Sequence, residues 1–491
     1  GKTLVPPIDY KGDDVVGAYL SGTPLRQLFT ATLPFAFDDK SRMEHFHLCA
    51  GSGSGKTQLI QSLILRDLQK EDPPALIIID SQQDMLDNIQ QLALFNGKLA
   101  NRLVIIDPIY NPCLNMFDTT TERLKNYSQT DREQIEAGII ELYNYVFGAI
   151  AAELTSKQNV AFSYVVRLML ATPEANLHTL LELMERNEFS KFLPIVAQLD
   201  PTAQSFFQNQ FLKKEFASTR QQIARRLYSV LSVPSFDRMF STKENKLDMF
   251  ECIQSRKIVL INTRKALLKT DACALFGRYM IAQTMAAAFE RAAIQHRPPA
   301  YLIVDEFGDY ADDSMESLLT QARKYNLGVL FAHQAMSQLS PSLQSIIAAN
   351  TSIKVAGGLS DRDARALAAD MRTTTDFFTN LKKTDHSAQF GAFIRNKTGK
   401  AVTIDVPFGV LESEPRMTEA QHKALIARNT ARYSASATPE HIVNFNPRPP
   451  EMEPWRLEKP KPSQFQNAWT ASADKPKSPA NDEDPKPSKD Y

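Results

Sequence analysis

The stretch Phe46-His47-Leu48-Cys49-Ala50-Gly51-Ser52-Gly53-Ser54-Gly55-Lys56-Thr57 decides the fold. It reads as a strand, a glycine-rich turn, and a helix that carries Leu59, Ile60, Leu63, Ile64 and Leu68 on one side. From Ala50 onward the spacing fits the nucleotide-binding P-loop, with Ala50 where glycine is more usual. In such a loop, glycines let backbone N–H groups turn inward around a β-phosphate, and the helix N-terminus adds partial positive charge. Gly51, Ser52, Gly53, Ser54 and Gly55 would form the cradle, and Lys56 would reach the β- and γ-phosphates of ATP. Thr57 would offer its hydroxyl to Mg²⁺. A Gly/Ser linker ending in Lys-Thr matches the same pattern, and only the flanking strand and helix favour the phosphate site.

Outward from this loop the chain repeats the unit. Asp72-Pro73-Pro74 stops the helix, and Ala75-Leu76-Ile77-Ile78-Ile79-Asp80 and Leu103-Val104-Ile105-Ile106-Asp107 follow as short uninterrupted apolar runs. Such runs are strands buried on both faces of a parallel sheet. Further runs at 257–262, 301–305, 327–332 and 352–356 alternate with helical segments, including 272–293 and 343–349, the pattern of a doubly wound α/β domain. Residues 388–407 read as a closing antiparallel hairpin around Asn396-Lys397-Thr398-Gly399. Between Thr119 and Phe250 the texture is helical, at 135–152, 159–170, 178–185, 202–211 and 220–231, so an all-α domain is expected to be inserted there. The expected organisation is a lead-in segment 1–42, a nucleotide-binding domain in two parts (43–118 and 251–430), the all-α insertion 119–250, and a mostly disordered tail 431–491. That tail is rich in Pro, Lys, Asp and Ser, too poor in aliphatics to offset ordering entropy. It holds both tryptophans, Trp455 and Trp469, either docking anchors or incidental aromatics.

At 491 residues and 43 % apolar composition the chain can fill sizeable cores. Lys+Arg and Asp+Glu balance at 56 each, which argues against a passive, histone-like polyanion binder. Cys49, Cys113, Cys252 and Cys273 lie far apart, a pattern of reduced cytoplasmic thiols. His45, His47 and Cys49 alternate and would share one strand face, where packing explains them better than a metal site. No apolar run approaches the ~20 residues of a membrane helix. A membrane anchor is not present in this chain, and because the chain starts at Gly1 and not at methionine, that sets no expectation about an upstream segment.

The second half of the site is expected at Asp305-Glu306, after four apolar residues, as a Walker B strand. Asp305 would hold the Mg²⁺ shell and Glu306 would polarise the attacking water. The P-loop corner and this acidic pair are expected on adjacent strands, with the Lys56 ammonium within one water's reach of Asp305. Gln334, after Phe331-Ala332-His333, either touches the γ-phosphate or serves as a loop or capping residue. Arg323, at the end of the intervening helix, is either an arginine finger facing a neighbour's nucleotide in a ring or a solvated surface charge. Arg225-Arg226 and Arg264-Lys265 are weaker candidates for a finger or a DNA contact.

These residues resemble a family. The P-loop, Ile79-Asp80-Ser81-Gln82, the helical insertion, Ile303-Val304-Asp305-Glu306-Phe307, Ala322-Arg323-Lys324-Tyr325-Asn326-Leu327 and His333-Gln334-Ala335-Met336-Ser337-Gln338-Leu339 follow the order seen in conjugative coupling proteins of type IV secretion systems. These form the TraG/TraD group of the FtsK/HerA superfamily, and the likeness spans residues 19–407. The resemblance implies a RecA-like P-loop NTPase with a central, mostly parallel sheet, usually a hexameric ring that threads DNA using ATP at the cytoplasmic face of the inner membrane. It implies catalytic roles for Lys56, Glu306, Gln334 and Arg323 and metal-binding roles for Thr57 and Asp305. Ser81-Gln82-Gln83 replaces the family's usual Pro-Lys-Gly, and no transmembrane pair precedes the motor. The functional expectation is an ATP-driven DNA translocase that meets protein partners through its α-domain and tail. A nucleotide-gated assembly factor and an ATPase that moves protein remain the alternatives.

Overall fold

The computed structural model describes residues 6–10, 14–31, 34–118, 123, 126–151, 156–312 and 315–435, so Trp455 and Trp469 lie outside the described residues. Its strands are β1 (Phe46–Ala50), β2 (Ala75–Asp80), β3 (Leu103–Ile106), β4 (Ile258–Asn262), β5 (Ala300–Val304), β6 (Leu327–His333), β7 (Ile353–Gly357), β8 (Ser387–Ile394) and β9 (Val402–Pro407). They form one nine-stranded sheet in the order β3-β4-β2-β5-β6-β1-β7-β8-β9. Strands β1 to β7 run parallel, and β8 and β9 finish the sheet as an antiparallel hairpin.

The apolar runs are explained by burial on both faces. Ile77, Ile79, Val259, Ile261, Leu302 and Val304 enter one core, while Leu76, Ile78, Leu260, Ile303 and Leu48 enter the other. The second core seats the helix Lys56–Gln69, whose Leu59, Ile60, Leu63, Ile64 and Leu68 are buried. The first passes through the helix Lys265–Glu290 into the helices Gln129–Ala151, Ser156–Ala171, Leu177–Met184 and Lys214–Leu231. The helical segment therefore shares its core with one face of the sheet.

Two polar devices hold the sheet's surroundings. Arg42, before β1, grips Asp67 of the P-loop helix through two bonds of 2.7 and 2.6 Å and lies 3.9 Å over the Tyr301 ring. Both partners are buried, and Lys70, less buried, also reaches Asp67 at 3.0 Å. At the β3 edge, the helix Glu419–Tyr433 presents Asn429, whose Oδ1 accepts from Ile105 N–H at 2.9 Å and whose Nδ2 donates to Ile105 C=O at 2.7 Å. A side-chain amide thus copies the hydrogen bonds of one more strand.

Two expectations are corrected, for His45 and for residues 431–435. His45 is not on the strand with His47 and Cys49: it has a left-handed backbone with φ 66°, and its Nδ1 accepts from Val329 N–H at 3.1 Å. Residues 431–435 are docked, with Tyr433 C=O accepting from Cys113 N–H at 2.8 Å and Ser434 C=O from Lys246 Nζ at 2.9 Å. All four cysteines are buried free thiols. Among the described residues no helix is long and apolar enough to cross a membrane.

Candidate active site

The loop from Gly51 to Gly55 leaves β1 and runs into the helix that starts at Lys56. Two of its glycines are required by their surroundings. A Cβ on Gly51 would lie 2.2 Å from the Gly358 carbonyl, and Gly55 has φ 95° with Ala388 and Phe408 each 3.0 Å from where its Cβ would be. Ala50 is tolerated because it is still a strand residue, paired with Gly357. No side chain caps the helix at Gly55, so its first N–H groups point to the turn, the arrangement an anionic phosphate needs.

Lys56 reaches across to the acidic pair. Its Nζ contacts an Asp305 carboxylate oxygen and donates to Glu306 Oε1 at 2.7 Å. Burial works against the ammonium, but the Asp305 charge and the hydrogen bonds to both carboxylates outweigh it and hold the Lys56 pKa above its ordinary value. Glu306 Oε1 also accepts from Gln334 Nε2 at 2.9 Å and from Gln82 Nε2 at 3.2 Å. Glu306 itself is left-handed (φ 50°, ψ 44°), a conformation that costs a non-glycine residue about 1–2 kcal/mol. Its N–H donates to Asp305 Oδ1 at 2.8 Å, which holds the strained turn.

The corner and the acidic pair are not on adjacent strands. Strand β6 lies between β1 and β5, and its end delivers Gln334 into the gap that Lys56 spans. At the end of β2, beside β5, Asp80 is a third buried carboxyl, which burial, and then the Asp305 charge, pushes up to about 7. Beneath them His47 and His333 stack with ring centroids 5.0 Å apart and Nε2 atoms 2.7 Å apart. Burial pushes His333 down to about 4. With both rings neutral and His333 Nδ1–H donating to Ala335 C=O, His47 must donate to His333.

Lys56, Asp305, Glu306 and Gln334 are therefore brought together, and Arg323 is not. It opens the turn Arg323–Tyr325 at the amino end of β6, opposite the P-loop, where it pairs with Glu44 at 2.7 Å and remains 60 % exposed. Arg264 is committed inside the chain, to Asp107 at 2.5 Å and Gln83 at 2.6 Å, and Lys265 pairs with Asp309 at 2.7 Å. Gln82 was missed by sequence reasoning, although its place just past the end of a core strand was the available signal. The cleft, about 290 Å³, is lined by the P-loop with Gln82, Glu306 and Gln334 on one flank and Lys383 and Phe408 on the other. For a metal, the Thr57 hydroxyl and the Asp305 carboxylate are hard oxygen donors that fit Mg²⁺.

Over residues 27–371 the sequence matches a family model described as the type IV secretion-system coupling protein DNA-binding domain. None of the curated proteins matches the chain. Among solved structures it is similar to the bacterial conjugative coupling protein TrwBdeltaN70 in its unbound monoclinic form, with TM-score 0.54, 15 % identity, and 78 % of this chain and 88 % of that chain covered. The plasmid coupling protein TrwB in complex with ADP and Mg²⁺ matches with TM-score 0.53 and 15 % identity over 82 % of this chain and 94 % of that one. TrwB with a non-hydrolysable ATP analogue matches with TM-score 0.54 and 15 % identity over 80 % and 93 %. At such identities the likeness is one of fold.

Proposed function

The chain belongs to the type IV secretion-system coupling protein DNA-binding-domain family, and from that premise we propose that it is an ATP-hydrolysing motor that moves DNA toward a secretion channel. The observation that carries this reading is the single Glu306 oxygen held by Lys56, Gln82 and Gln334. An arriving triphosphate competes for the Lys56 ammonium, and Glu306, released from that ion pair, becomes the base that orients the attacking water. Gln334, on the same oxygen, links the state of the terminal phosphate to β6. Thr57 and Asp305 would hold Mg²⁺, which would supply charge neutralisation of the phosphates when bound.

The motor acts as a ring of copies, a hexamer as is usual in the resembling group, in which Arg323 reaches a neighbour's cleft. Its place at the opposite end of the strands from its own Lys56 supports that role. Protein partners meet the helical segment and the tail with Trp455 and Trp469, at the cytoplasmic face of the membrane. The test is ATP turnover with and without single- and double-stranded DNA across a salt series. Turnover should be stimulated by DNA, and stimulation should weaken as counterions compete. Intact basal turnover with no response to any DNA would remove DNA as the load.

A further inference from the structure

The cleft has a flank that the hydrolytic residues do not use. Besides Lys56, the only cation lining it among the described residues is Lys383, from the turn before β8. Lys383 Nζ donates to the Gly53 carbonyl of the P-loop at 2.5 Å. No carboxylate is within ion-pair distance of it among the described residues, whereas Lys56 has two.

The turn is fixed rather than loose. Thr384 N–H donates to Ser387 C=O at 2.8 Å, Gln389 N–H to Lys382 C=O at 2.8 Å, and Lys383 bridges to Ala388. Phe408 supports it from below, donating its N–H to His386 C=O at 2.8 Å while its ring fills the space beside Gly55 and lies 5.8 Å from the Lys383 ammonium. Gly409 N–H donates to Gln58 Oε1 at 2.8 Å, tying the same hairpin to the first turn of the P-loop helix. An ammonium placed this way is preorganised, so little ordering entropy is lost when it binds an anion.

Sheet order decides which part of the nucleotide it meets. Glu306 and Gln334 reach the cleft from β5 and β6, on one side of β1, and Lys383 arrives from the β7–β8 side. The reacting terminal phosphate belongs to the carboxylate flank, and the inner phosphates to the other. We propose that Lys383 is a second phosphate-binding cation of the nucleotide site, acting on the inner phosphates that di- and triphosphate share. This rests on the nucleotide-binding reading above and adds the residue that completes it.

The test is nucleotide affinity and steady-state turnover in the full chain for Lys383→Ala and Lys383→Arg, with Mg²⁺-ATP and Mg²⁺-ADP as probes. Lys383→Ala should weaken both nucleotides by roughly ten- to hundred-fold, raise KM in proportion and leave kcat within a few-fold of wild type. Lys383→Arg should restore most of the affinity, because a guanidinium keeps the charge. Loss confined to ATP would overturn the assignment by placing Lys383 on the terminal phosphate. Unchanged affinity for both would reduce it to a tie to Gly53, and failure of the arginine to rescue would show that the contact is structural. A wild-type chain that binds neither nucleotide would remove the underlying nucleotide reading, and this inference with it.

Discussion

The two flanks of the P-loop differ in how they treat charge. On the β5–β6 side, Asp305 and Glu306 are buried around Lys56, with Asp80 close by and Glu306 on a strained backbone. On the β7–β9 side, Lys383 stands on a well-bonded hairpin with a carbonyl as its partner. The first arrangement is crowded and energetically raised, as a group that must change partners during a reaction has to be. The second is relaxed and fixed, which suits holding a ligand rather than transforming it. On the reading proposed above, chemistry and grip are divided between the two sides of one loop.

Lys56→Ala is expected to have the largest effect, because Lys56 is the P-loop's own cation in the cleft: nucleotide binding should disappear, measured by calorimetry. The same change leaves two buried carboxylates without their counter-ion and should destabilise the fold by about 3–5 kcal/mol in urea titration. Retained nucleotide affinity would dissolve the comparison altogether. Arg323→Ala should lower kcat about 10³-fold or more in homogeneous preparations. Mixing it with Lys56→Ala subunits, which keep the arginine, should recover turnover; full activity of Arg323→Ala alone would remove the finger. Glu306→Gln should bind ATP normally and lose about 10²–10⁴ in kcat, so a rise in KM with kcat intact would assign Glu306 to the gripping flank instead. Asn429→Ala lies outside both flanks and should cost about 1–3 kcal/mol of stability with nucleotide affinity untouched.

A test that changes no residue uses the buried histidines on β1 and β6 and just before β1. Burial pushes His45 and His333 down to about 4, and His47 well below its ordinary value. Between pH 6.5 and about 4 the unfolded chain binds protons that the native chain refuses, so stability should rise with pH across that window and level off above it. Each histidine contributes a slope of up to about 1.4 kcal/mol per pH unit. Denaturation midpoints that stay flat from pH 4.5 to 6.5 would show that these rings charge inside the native state.

The strands and the P-loop were legible because their signals are local: two-sided burial writes a continuous apolar run, and a phosphate cradle writes its glycines. Sheet order is not local, and the interposition of β6 between β1 and β5 has no trace in either strand's own residues. Gln82 and Lys383 were overlooked for the same reason, since each acts on residues more than 200 positions away. The helix Glu419–Tyr433 was a different omission. Its capping box, Thr418 with Gln421, is plain in the sequence, but its buried face is only Leu425, Asn429 and Tyr433, a narrow stripe with an amide at its centre. His45 went astray because alternation assumes an extended backbone, and its φ of 66° breaks the register just before β1 begins.

The Asn429 amide has a consequence for how molecules of this kind fail. Self-templated fibre growth needs two unsatisfied ladders per molecule, one to join by and one to extend from. Among the described residues this sheet has a plugged terminus at β3, leaving only β9 open. Strand-to-strand addition would therefore stop at a pair, and removing the plug would turn a dead end into a propagating tip.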